Sequence, residues 1–261
     1  MQSVWAASGT QVFGVGLTGT IVQYDGVAWT GQSNQLGTAN LTGVWGSSAS
    51  NVYAVSGNGE LWHYNGTAWS VISRCSFIPG VKGIWGSSAS DIYVVGAQGC
   101  IYNYNGSTWS KVDHGLGELQ FTGIWGSSST DIYAIGLNGT IVHYDGSSWS
   151  LVAHALGSGA LYAVGGSGSN DVFIVGINGL IWHFDGSSWS DTSLGVGAPT
   201  LLSLYAASAS DAFAVGIGGA IWHYDGSSWS VMAHELGVID LAGVSGSSAS
   251  DVWAVGFSGA L

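Results

Sequence analysis

Counting forward from Trp5 in steps of 40 lands on Trp45, Trp85, Trp125, Gly165, Tyr205 and Ser245, and the flanking residues keep the same register without insertion or deletion. A chain that copies one short unit can bury the apolar faces of each copy only against the neighbouring copies. The expected architecture is therefore a single domain over residues 1–261, with repeats starting near 1, 41, 81, 121, 161 and 201 and a half-repeat at 241–261.

The copy beginning at Phe121 shows what each unit contains. Phe121-Thr122-Gly123-Ile124-Trp125-Gly126 reads as a short strand, a, closed by the polar turn at Ser127–Thr130. Asp131-Ile132-Tyr133-Ala134-Ile135-Gly136 is β-branched and aromatic, and reads as strand b, followed by the turn Leu137-Asn138-Gly139. Strand c, Thr140–Tyr144, runs into Asp145-Gly146, a pair that tolerates positive φ and so turns the chain back into strand d, Ser148–Val152. Four short strands per 40 residues without helical periodicity predict an all-β propeller of four-stranded antiparallel blades.

Strands a and b occur seven times, whereas the Asp-Gly or Asn-Gly hairpin and its Trp occur six times. Two rings fit this count. Seven inner strands with an incomplete last blade is the favoured one, because inner strands close a ring and outer strands are the less costly loss; six closed blades is the alternative. An unfinished blade leaves an exposed sheet edge that invites a partner chain, including a second copy of this one.

Charge narrows the function classes. Three Lys and Arg against 15 Asp and Glu give a formal charge of −12, a surface that repels phosphate backbones and argues against nucleic-acid binding. Nine of those acids belong to two repeated positions, Asp91 to Asp251 after the a–b turn and Asp25 to Asp225 in the c–d turn, where loop capping and turn chemistry account for them. No apolar run reaches the length of a membrane span, and no signal-peptide pattern precedes the first repeat.

Positions held in every copy are expected to serve the fold. Trp29, Trp69, Trp109, Trp149, Trp189 and Trp229 never vary and are assigned to the interblade core. His63, His143, His183 and His223, replaced by Gln23 and Asn103 elsewhere, suit a polar link between strands better than zinc, for which Gln and Asn are poor substitutes. Positions that drift are the candidates for binding. Trp5, Trp45, Trp85 and Trp125 give way to Gly165, Tyr205 and Ser245, a change that a core slot should resist at about 3–5 kcal/mol, so these rings are expected near a channel or surface. A second drifting set lies in the d–a connectors: Asn34, Arg74, His114, His154, Leu194 and His234, on the same ring face as Gln98, Asn138 and Asn178. The candidate ligand-binding residues are thus Trp5, Trp45, Trp85, Trp125, Tyr205, Arg74, His114, His154 and His234. Cys75 and Cys100, the only cysteines, fall on that face too, where a disulfide and two buried thiols are equally allowed.

The unit D-[VI]-[YF]-A-V-G-x-x-G-x-I-x-H-[YF]-D-G-S-S-W-S, as in Asp171–Gly176 with Ile181–Gly186, resembles bacterial β-propeller repeats, related at a distance to the WD-repeat and sialidase-type families. It is also similar to the repeats of bacterial and fungal β-propeller lectins, which bind sugars between blades. That resemblance implies a non-catalytic, multivalent, carbohydrate-binding module, extracellular or at the cell surface, in which weak identical sites gain avidity. The alternative is a protein-interaction or adhesion scaffold, as part of a larger surface protein or a homo-oligomer. An enzyme is not expected. Tyr144-Asp145-Gly146-Ser147-Ser148-Trp149 is one residue shorter than a sialidase-type Asp-box, and one arginine cannot build an arginine triad. Neither a cofactor nor a metal is implied.

Overall fold

The computed structural model describes residues 1–32, 37–74, 80–235 and 237–257, and at 73 and 74 the backbone alone. Blade 4 shows how the repeat folds: Phe121–Ser128, Asp131–Gly136, Ile141–Tyr144 and Trp149–Leu151 form one antiparallel sheet in that order. These are strands a to d, within a residue or two of the expected bounds at most ends. Six such four-stranded sheets follow one another, and Leu241–Ser248 with Asp251–Gly256 form a two-stranded sheet. Strand a of each blade lies beside strand a of the next, and Leu241–Ser248 lies between those of blades 6 and 1. The ring therefore holds six complete blades and, at a seventh place, the half-repeat.

The turn chemistry is local and repeated. Asp145 Oδ1 accepts hydrogen bonds from the amides of Ser147 and Ser148 at 2.9 Å and from Ser147 Oγ at 2.7 Å. The Ser147 hydroxyl and the two amides hold this carboxyl at about 2, well below its ordinary value. Gly146 follows at φ +90°, and a Cβ there would stand 2.8 Å from Cβ of Thr130, so the c–d turn closes tightly on the a–b turn of the same blade.

The core is distributed over the interfaces between blades. Phe13, Val15 and Ile21 of blade 1 pack with Leu41, Val52, Trp62 and Trp69 of blade 2, and a cluster of this kind lies at each later interface. Phe213 and Val215 meet Leu241 and Val244 between blade 6 and the last sheet, and Val255 meets Val4 and Val12 where that sheet meets blade 1. The invariant Trp sits where expected. Trp149 stacks on Tyr144 of its own blade at 5.2 Å and meets Tyr93 of blade 3 edge-to-face at 6.2 Å. Trp69, Trp189 and Trp229 repeat the edge-to-face contact with Phe13, Tyr133 and Phe173 at 5.8–6.3 Å.

The closing seam uses the same parts. Trp253 of the last sheet takes the place of that Phe or Tyr, with Trp29 at 5.6 Å and Tyr24 at 4.8 Å, and the terminal ammonium of Met1 donates to the Gly256 carbonyl at 2.5 Å. Replacing Trp149 with Ala should empty one interblade slot and cost about 3–5 kcal/mol, read as a drop in the urea midpoint with the strand circular-dichroism signal retained below the transition.

Candidate functional site

The repeated carboxylates and imidazoles turn out to be one device. His143 Nε2 donates to Asp131 Oδ1 at 2.6 Å, and Ser127 Oγ donates to the other carboxylate oxygen at 2.5 Å. His183 with Asp171 and His223 with Asp211 repeat the imidazole link at 2.8 Å, and Asn103 serves Asp91 at 3.0 Å. The acid therefore does more than cap its loop: it ties strand a to strand c across strand b. The serine bonds the carboxylate and not the imidazole, so the three groups form no nucleophile–base relay. Each ring also lies on the aromatic of strand b, His183 on Phe173 at 4.0 Å and His143 on Tyr133 at 4.4 Å. Burial raises the Asp171 carboxyl, and the hydrogen bonds from His183 and Ser167 more than offset it, leaving it below its ordinary value. Burial and the Asp131 charge push the Tyr133 phenol up to about 12.

The connector histidines are held by backbone. Nε2 of His114, His154 and His234 donates to the carbonyls of Gly99, Gly139 and Gly219 in the b–c loops, at 2.6–2.8 Å. Nδ1 of His114 and His154 accepts the amides of Leu116 and Leu156, fixing the Nε2–H tautomer. At blade 5, where Leu194 replaces His, its own amide donates to the Gly179 carbonyl at 3.0 Å. Between these histidines and Leu194 the donor is kept and only its source changes. Arg74 ends strand d of blade 2, its side chain lying outside the described residues, as Asn34 and Cys75 do wholly; Cys100 is buried.

The drifting aromatics line the central channel, a space of about 410 Å³, together with Gly165 and Ser245. The inference that a core slot would refuse such drift needs correction, because each ring is half-buried against the next blade. A Cβ on Gly46 would stand 2.7 Å from the Trp5 ring, and Gly86, Gly126 and Gly166 stand in the same relation to Trp45, Trp85 and Trp125 at 2.7–2.9 Å. Tyr205 lies over Gly246 in the same way, and its burial, followed by the Asp251 and Asp211 charges, raises its phenol pKa. Where the ring is lost, the neighbour grows: Gly165 precedes Ala206, and Ser245 precedes Ala6 and bonds its amide through Oγ at 3.2 Å. The drift is a paired exchange of volume, which leaves the core filled.

What remains after these structural duties is the mouth of the channel on the loop face. There the second residue of each repeat takes the values Gln2, Thr42, Lys82, Thr122, Tyr162, Leu202 and Ala242. Most of these, with Leu137 and Phe257, surround an opening of about 530 Å³. The first b–c loop residues Leu17, Leu137, Ile177, Ile217 and Phe257, each between 36% and 49% exposed, repeat an apolar side chain on this face, a collar of which Leu137 and Phe257 line the opening. Their loops are pinned by left-handed residues such as Thr18, Asn138 and Asn178, and by Gly139, whose Cβ would stand 2.5 Å from the Gly157 carbonyl of the connector. Sequence reasoning missed both rings, although the signal was there: position 2 repeats only Thr. Among the described residues no group of His, Cys, Asp and Glu is placed to hold a metal, and no helix is long and apolar enough to cross a membrane.

No protein-family model and no curated protein matches this sequence. Solved structures share the fold at low identity. YCF48 bound to D1 peptide is 15% identical with a TM-score of 0.78, over 98% of this chain and 89% of that one. YCF48 from Cyanidioschyzon merolae is 14% identical with a TM-score of 0.78, over 99% and 92%. A streptogramin B lyase is 12% identical with a TM-score of 0.84, over 99% and 91%.

Two outcomes test this site. In a double-mutant cycle, Trp85→Ser should cost about 3–5 kcal/mol and Gly126→Ala about 1–3 kcal/mol. Together they rebuild the Ser245–Ala6 combination and should cost at least about 1 kcal/mol less than the sum, measured by chemical denaturation. His63 is the one strand-c histidine whose partner is neutral, Asn51 Oδ1 at 2.6 Å, and burial lowers its pKa from 6.5. The unfolded chain then takes this proton first, so stability is whole above pH 6.5 and falls as the pH drops below it. Asn51→Asp should raise the His63 pKa, read from its ring proton shifts, and remove that loss.

Proposed function

We propose that this chain is a non-catalytic binding scaffold that receives a segment of a partner protein on the loop face, over the mouth of the central channel. The observation that carries this reading is the exposed apolar residue that begins the b–c loop in five repeats, Leu17, Leu137, Ile177, Ile217 and Phe257, of which Leu137 and Phe257 line the opening. The same loop position is Gly57 and Ala97 in blades 2 and 3, so the fold does not require a large apolar side chain there. A ring of exposed apolar residues around a pocket is the form that protein-docking surfaces take. Inside the collar, Tyr162 offers an amphipathic anchor of the kind that dominates interface energetics, and Lys82, one of three Lys and Arg on a strongly acidic chain, lines the opening. A peptide carboxylate or carbonyl is the natural partner for that ammonium. The peptide-bound structure of one protein with this fold supports a peptide as ligand.

A glycan reading is favoured by a different place, a cleft between blades 3 and 4. There Tyr93, Tyr144 and Trp149 stand beside Asn103, Asp113 and Ser148 around a space of about 380 Å³. Aromatic faces among hydroxyl and amide groups suit a sugar ring, and a broad glycan array tests this directly.

For the leading reading, a displayed peptide library selected on the chain should yield binders whose affinity falls about tenfold or more with Leu137→Asp or Tyr162→Ala. The c–d turn variant Ser187→Ala, on the opposite face, should leave them unchanged. Failure to enrich any peptide, or enrichment indifferent to the collar, would overturn the assignment.

A further inference from the structure

Blade 5 departs from the repeat at three positions that the fold brings to one place. The residue leading into strand c is Thr20, Glu60, Cys100, Thr140 and Ala220 in the other complete blades, and Leu180 here. The third residue of strand d is Gly31, Val71, Lys111, Leu151 and Val231 elsewhere, and the carboxylate Asp191 here. In the d–a connector, Val196 stands where blades 3 and 4 have Leu116 and Leu156.

The missing histidine accounts for the third departure. In blades 3 and 4 the connector imidazole accepts the amide of the leucine two residues on, and that leucine packs onto the interblade core. Leu194 offers no such acceptor to Val196. Gly195 and Gly197 take left-handed φ of +93° and +85°, the Ala198 amide closes a turn on the Gly195 carbonyl at 3.3 Å, and Val196 at its tip is fully exposed. This turn is anchored on both sides. The Leu194 amide donates to the Gly179 carbonyl at 3.0 Å, and Thr200 Oγ1 accepts the Asn178 amide at 3.3 Å.

Between the turn and the connector of blade 4 lies an open cleft of about 710 Å³. Leu156, Leu180 and Trp182 give it an apolar lining, and Asp191, Ser193 and Asn178 a polar one. Asp191 Oδ1 accepts the Ser193 amide at 2.9 Å and its hydroxyl at 2.5 Å, which fixes the carboxylate and leaves Oδ2 without a partner among the described residues. No Lys or Arg follows Lys111 in the sequence, so blades 4 to 6 supply no such cation of their own.

We propose that this cleft is a docking site for a lysine side chain of a partner protein. A long aliphatic stem ending in one ammonium matches an apolar lining with a single free carboxylate oxygen. Arginine matches less well, because the paired contact it favours needs both oxygens and Ser193 holds one. The cleft is open and Val196 projects beyond it, an arrangement that a continuous chain covers and a free amine does not; an apolar residue next to the lysine meets Val196. The cleft shares no lining residue with the channel mouth, so this assignment and the loop-face one stand or fall separately.

The probe is a capped Leu-Lys-Leu peptide titrated into the isotope-labelled chain and followed by amide chemical shifts, which should move at residues 178–182 and 191–198. Acetylating the lysine keeps the stem and removes the charge, and should weaken binding about tenfold or more; Arg in its place should weaken it about threefold. On the chain, Asp191→Asn keeps an acceptor for Ser193 and should also cost about tenfold, and Leu180→Thr, the residue of blades 1 and 4, about threefold. Asp145→Asn, in a c–d turn on the opposite face where blades 2 and 3 already carry Asn65 and Asn105, should change nothing, which separates the site from general attraction to an acidic chain. Binding indifferent to acetylation or to Asp191→Asn, or shifts centred elsewhere, would overturn the proposal. Butylammonium binding as tightly as the peptide would overturn the protein partner and assign the cleft to small amines.

Discussion

Everything in this molecule depends on the fact that a blade of four short strands cannot cover its own faces. Each sheet is apolar on both sides, so each side must meet a neighbour, and the requirement ends only when the ring does. The result is a core divided among the interfaces, those between complete blades built from a strand-b aromatic of one blade and the outer Trp and inner aliphatics of the next. At most interfaces edge-to-face contacts between large rings add geometry to area. The loops then have nothing to do for the core beyond closing turns, and that leaves the loop face free to vary.

Much of this was legible in the chain itself. The strand order, the Asp-Gly hairpins and the place of the invariant Trp follow from residue types whose roles are local or strictly repeated. The half-repeat was visible too, because Leu241–Gly256 carries strands a and b without a following hairpin. What could not be read was pairing across blades. Trp5 and Gly46 are 41 residues apart, and nothing local says that the ring of one stands on the α-carbon of the other. Read singly, Trp giving way to Gly looks like freedom from packing; read with Ala206 beside Gly165, it is packing kept in balance.

The same blindness affected the polar residues. His154 varies because a backbone amide can serve as well, as Leu194 shows. Asp131 and His143 are 12 residues apart in sequence yet form one bridge, so separate explanations for each gave half the truth. Residues that look chemically able, when repeated, turned out to be engaged with one another or with the backbone. The residues left unengaged are apolar ones at loop starts, a class that searches for chemistry pass over.

The volume exchange at the channel wall bears on how such a chain finds its order. Copies this alike could in principle stack in any sequence, and misassembly between like units is a characteristic hazard of repeat proteins. Ala6 accepts the small Ser245 and has no room for an indole, whereas Gly46, Gly86, Gly126 and Gly166 leave a hollow that a small residue would not fill. Blade 1 is thereby marked as the successor of the last sheet, and blade 6 by Ala206 as the successor of blade 5. Bulk and its absence act as an address, written in the one layer of the ring where every sheet must touch the next.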